Sequence, residues 1–131
     1  MQSWLNKRSL SSVLCGLALL CAAGCSGRSN TEFIPAEDYA RSALEKALTA
    51  WQNGQPPHIM DVSPAVEAVD RRWKNGAKLA NYEILTEESH NGAPSFSVKL
   101  TLKQPASEKT VLYIVVGKDP LWVYSEEEYN M

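Results

Sequence analysis

Side chains that do chemistry at neutral pH are sparse in this sequence. His58 and His90 are its only histidines, and each stands in a stretch flanked by Pro or Gly. His58 precedes Asp61 by three positions, a spacing that gathers two metal ligands on a helix, but Pro56, Pro57 and Pro64 argue against a helix there. One His and one Asp also fall short of the three or four ligands zinc takes. No metal and no cofactor is therefore expected. Asp70 stands beside Arg71 and Arg72; this is a carboxylate next to two cations, or a turn-forming Asp whose side chain caps its own backbone. The second reading is favoured. A hydrolase needs a nucleophile, a base and an orienting group. The chain has no nucleophile motif, no Gly-rich phosphate loop and no Cys–His pair, so no catalytic residue is assigned and no enzyme is expected.

Cys25 is the residue with the clearest chemistry. Lys7 and Arg8 give a short basic start, and Leu10 to Ala23 is apolar apart from Ser11, Ser12 and Gly16. That run is short for a membrane span, which takes roughly 20 residues, and it suits the hydrophobic region of an export signal. It ends in Ala22-Ala23-Gly24-Cys25, which resembles the lipobox of bacterial lipoproteins, although leucine is usual where Ala22 stands. The resemblance implies a signal peptide over 1–24, cleavage before Cys25, and a diacylglycerol on its thiol. Ordinary secretion and a retained signal anchor are the competing outcomes. Cys15 and Cys21 fall inside the removed peptide, so Cys25 would be the one cysteine left. It would form no internal disulfide, and lipidation would mask a thiol otherwise exposed to oxidation.

Removal of 24 of the 131 residues leaves 107, one domain's worth of chain. It also removes two of 13 basic residues against 15 acidic ones and takes the net charge from −2 to −4. An acidic domain is a poor partner for nucleic acid or an anionic bilayer. The membrane link would come from the lipid, placing the protein at a bacterial cell membrane, inner or outer. Residues 25–34 read as the lipidated Cys and a short tether, too short to hold the domain far from the bilayer.

The elements that must position everything else begin at Pro35. Over Pro35 to Asn53 the residues Tyr39, Ala40, Ala43, Leu44, Ala47, Leu48 and Trp51 recur at helical spacing, with Asn53-Gly54 as the stop. Trp51 belongs to that apolar stripe and is read as core. His58 to Ser63 reads as a short buried crossing or half-strand. Val66 to Asp70 reads as a strand, with a helix starting at Ser63 as the competing assignment. Arg71 to Asn75 reads as a turn in which Trp73 lids the core. Leu79 to Glu87 is a further strand, followed by a polar loop through His90-Asn91-Gly92. Phe96, Val98, Leu100 and Leu102 then alternate with Ser97, Lys99, Thr101 and Lys103, one face dry and one wet. After a turn over 104–108, Thr110 to Val116 is apolar on both faces and reads as a central strand. Leu121 to Tyr124 is the last strand, and 126–131 reads as a solvated acidic tail.

One long N-terminal helix followed by strands predicts an α+β domain over 35–125, the helix packed on a three- to five-stranded antiparallel meander. That order resembles the cystatin-like and NTF2-like folds. Val69, Asp70, Trp73, Gly76 and Leu79 also resemble a segment of small lipoproteins of unknown function from planctomycete-type bacteria. Two functions follow. The first is a lipid-anchored, monomeric, non-enzymatic binding or interaction module of the cell envelope, with an envelope protein as partner and Trp122 and Tyr124 as contact surface. The second, implied by the NTF2-like resemblance, is a small-ligand binder or enzyme with a pocket lined by Asp70, Tyr82 and Tyr113 between helix and sheet.

Overall fold

The computed structural model describes residues 33–131 apart from Pro105. The expected leader, the lipobox with Cys25, and most of the tether lie outside the described residues.

Helix α1 runs Glu37–Gln52. Glu37 and Asp38 place negative charge in its first turn, where the exposed N–H groups favour it. Its end is set by backbone chemistry. Gly54 adopts φ 77°, and the N–H groups of Gly54 and Gln55 donate to the carbonyls of Trp51 and Ala50, closing the last turn. Ala40, Ala43, Leu44, Ala47, Leu48, Ala50 and Trp51 are buried. Tyr39, expected in the same stripe, is instead 65% exposed. It stands at the rim of the stripe, one position before the fully buried Ala40.

Six strands follow: β1 His58–Ile59, β2 Val66–Val69, β3 Lys78–His90, β4 Ala93–Gln104, β5 Ala106–Gly117 and β6 Leu121–Ser125. Two short helices intervene, α2 Arg71–Lys74 and α3 Glu126–Tyr129. The strands form one sheet in the order β1-β2-β6-β5-β4-β3. The α+β class and the helix-on-sheet packing match expectation, but two details are corrected. The helix has 16 residues and is not long. The sheet is mixed and six-stranded, because β2 lies parallel to β6. A parallel neighbour requires a long crossover, and here the whole β3–β5 meander intervenes.

Alternation sorts the side chains onto two faces. On the α1 side, Phe96, Val98 and Leu100 of β4, Val111, Tyr113 and Val115 of β5, and Leu121 and Val123 of β6 join the helix in one core. The dry face of β4 is thus the one the sequence alternation picks out. The β3–β4 connection is tighter than the expected loop, since Asn91 and Gly92 alone turn the chain, both with positive φ. β5 lies inside the sheet as expected, with Ile114 buried on the outer side.

Residues 126–131 are mostly exposed, yet they are more than a solvated tail. α3 packs against β5 and β6. Glu127 and Glu128 reach Arg72 and Arg71 at 2.8 and 3.0 Å, and Tyr129 sets an edge against Tyr124 and His90. The like-charged run finds its counter-charges in α2, far away in sequence.

Candidate functional site

Asp70 ends β2 and caps α2. Its Oδ1 accepts from the Arg72 backbone N–H at 2.8 Å, the capping role the sequence favours. Its Oδ2 accepts from the Tyr113 hydroxyl at 2.5 Å. The Arg72 guanidinium lies against the same carboxylate, Nε 3.4 Å from Oδ1, and reaches outward to Glu127. Asp70 is 4% exposed and Tyr113 2%. A charge so buried is tolerated only when its lone pairs are used and a counter-ion is near, and this one has both. Burial, and then the neighbouring Asp70 charge that it hydrogen-bonds, push the Tyr113 hydroxyl well above its usual value. Burial pulls the Arg72 guanidinium down, but its bond to Glu127 and the nearby negative charge outweigh this and leave it raised. The knot ties β2, β5, α2 and α3 together. All its members hold each other, which makes it a structural device.

Of the three residues expected to line a pocket, Asp70 and Tyr113 meet directly. Tyr82 does not join them; on β3, at the opposite edge of the sheet, its hydroxyl shares a 3.1 Å hydrogen bond with Thr49 of α1. Trp51 is core, 3% exposed, and Trp73 stacks on it with ring centres 5.3 Å apart and planes within 7°. Both indole N–H groups are spent on backbone carbonyls, of Ala77 and Gln55. His58 pairs with Glu67 across β1 and β2 at 2.5 Å, while Asp61 is exposed. Among the described residues no three His, Cys, Asp or Glu cluster as a metal site, and no helix is long and apolar enough to cross a membrane.

The concave chemistry lies elsewhere. A groove of about 690 Å³ opens at the β1–β2 edge, reaching the sheet face away from α1. Its walls include Trp122, the His58–Glu67 pair, the Arg71–Glu128 pair and Lys74. The register explains the assembly: His58 is opposite Glu67, which is opposite Trp122, so three strands present one row outward. Gly117 seats the indole. A Cβ there would lie 2.9 Å from the Pro120 carbonyl oxygen and 3.0 Å from Trp122 Cδ1, and φ is 98°. A smaller cleft of about 490 Å³ beside Trp51 and Trp73 shares Pro57, His58 and Lys74 with it. Neither is lined by Tyr82 or Tyr113.

Sequence reasoning names Trp122 as contact surface but misses Glu67, Arg71, Lys74 and Glu128. The alternation of Val66-Glu67-Ala68-Val69 marks Glu67 as outward-facing. Nothing local shows that Trp122 is its neighbour, since that follows from the parallel pairing. No family model matches the chain, and neither does any curated protein or solved structure.

Proposed function

We propose that this chain is a lipid-anchored binding module of a bacterial cell envelope, held to the membrane by an acylated Cys25 and without catalysis of its own. The observation that carries the location is the apolar run ending in Ala22-Ala23-Gly24-Cys25 behind a basic start. The absence of catalysis is supported by how Asp70 is used. Its oxygens accept from Tyr113 and from the Arg72 backbone and face the Arg72 guanidinium. Each of these contacts is to a neighbour within the fold. A pocket between helix and sheet finds little support, because Phe96, Val98, Leu100, Leu44 and Leu48 fill that space at almost no exposure. The cystatin-like and NTF2-like resemblance then describes the helix-on-sheet layering, and the recognition surface is the outer groove.

The test is metabolic labelling of the full chain with radiolabelled palmitate in a bacterium that exports it. The wild type is expected to carry label and to fractionate with membranes, and Cys25→Ser to lose both. Label and membrane retention that survive Cys25→Ser overturn the anchor.

A further inference from the structure

The groove that contains Trp122 holds more hydrogen-bonding capacity than any fold requirement explains. Its carboxylates Glu67 and Glu128 face the cations Arg71 and Lys74, and Asp70, also on the lining, is countered by Arg72, so the groove carries no surplus of cations. Charge balance disfavours a phosphate or a free carboxylate, which need surplus cations or convergent N–H groups. The pairs are also only partly spent. Arg71 donates Nε to Glu128 and Nη2 to the Met131 sulfur, leaving further N–H groups of its five. Glu67 gives one oxygen to His58 and keeps the other. The same groove is lined by the half-buried indole of Trp122, an apolar surface beside these donors and acceptors. A volume of about 690 Å³ falls within the usual range of ligand clefts, roughly 300–1,000 Å³.

One common class of molecule carries the complementary pattern: a neutral ring with C–H groups on its faces and hydroxyls around its rim. We propose that this groove binds a neutral saccharide, a pyranose ring set against Trp122 with its hydroxyls taken by Glu67, Arg71, Glu128 and Lys74. Carboxylates and guanidinium groups each engage vicinal hydroxyls in pairs. The His58–Glu67 hydrogen bond and the Arg71–Glu128 ion pair hold these groups in place before the sugar arrives, which lowers the ordering cost of binding. The assignment deepens the binding-module reading and rests on it.

The test uses the purified full chain in a detergent without a sugar headgroup, titrated with cellohexaose, chitohexaose and mannohexaose, with polygalacturonate as an anionic comparator. Tryptophan fluorescence and saturation-transfer NMR report binding. At least one neutral hexaose is expected to bind with a dissociation constant of about 1 mM or tighter, corresponding to roughly −4 kcal/mol. Trp122→Ala is expected to weaken it at least about tenfold, and Glu67→Gln, which preserves size, by about threefold or more. Glu67→Gln keeps the test decisive should Trp122→Ala unfold the chain. The proposal is overturned if no neutral hexaose binds at about 10 mM, or if both variants bind like wild type. It is equally overturned if polygalacturonate alone binds and salt abolishes it, the behaviour of an anion site. None of these outcomes alters palmitate labelling at Cys25, so failure here is separable from failure of the anchor.

Discussion

Two aromatic pairs, on opposite sides of the same sheet, show how this chain divides its work. Trp51 and Trp73 stack within the core, 3% and 8% exposed, each with its N–H given to a backbone carbonyl. Trp122 and Tyr124 also lie within 21° of parallel, ring centres 6.0 Å apart, but they are half-buried, and Trp122 shares a groove with charged groups. Aromatic side chains contribute a large apolar area wherever they stand. What differs is how much of their surface is already spent. The inner pair is fully committed to joining α1 to α2. The outer pair keeps surface in reserve, and reserved surface beside paired polar groups is what recognition uses.

This contrast can be broken by mutation, beginning with the inner face. Leu44 is completely buried, and its helix neighbours Ala40, Ala43 and Ala47 are too small to close a void. Leu44→Ala is expected to cost about 2–5 kcal/mol, a large share of a small domain's stability of about 5–15 kcal/mol. Denaturant unfolding at equal slope measures it. A cost under about 1 kcal/mol would mean that the helix does not pack as described.

Tyr113→Phe is next. It keeps the ring but leaves Asp70 one donor short, at an expected cost of about 1–3 kcal/mol at neutral pH. The variant also changes the pH profile. Because the folded-state value of the Tyr113 hydroxyl is raised, its contribution is fully present below the usual tyrosine value near 10 and is lost as pH climbs through and beyond it. Wild-type stability should fall on that alkaline limb, and Tyr113→Phe should fall less steeply. Parallel alkaline limbs in the two proteins would show that the hydroxyl is not buried against Asp70.

The smallest effect is expected on the outer side. Lys99 stands opposite Thr110 and 3.9 Å from Glu108, both partners of the ion pair well exposed. Exposed pairs of this kind contribute little, so Lys99→Ala should shift stability by less than about 0.5 kcal/mol. A loss like that of Leu44→Ala would exchange the two faces of the hairpin.

Much of the inner face was legible in the sequence, for a local reason. Helical spacing in α1 and strict alternation from Phe96 to Leu102 each record which side of an element is dry. Trp73 as a lid and Asp70 as a cap were readable for the same reason, since each is fixed within a few residues of itself. The outer site was not. Glu67, Trp122 and Glu128 come from β2, β6 and the chain's last helix, and only the parallel β2–β6 pairing gathers them. Periodicity says which way a side chain faces but not which strand lies beside it. The terminal glutamates illustrate the same limit. A run of like charge reads as solvated until Arg71 and Arg72 are brought beneath it.

The division between the two pairs is tested most directly by Trp73→Ala and Trp122→Ala, unfolded side by side in denaturant. Trp73→Ala removes a buried, stacked and hydrogen-bonded indole and should cost about 3–5 kcal/mol. Trp122→Ala removes a half-exposed one and should cost about 1 kcal/mol or less. If Trp122→Ala instead costs as much as Trp73→Ala, the outer indole is part of the core, and the groove it borders is a by-product of packing and not a site for a ligand.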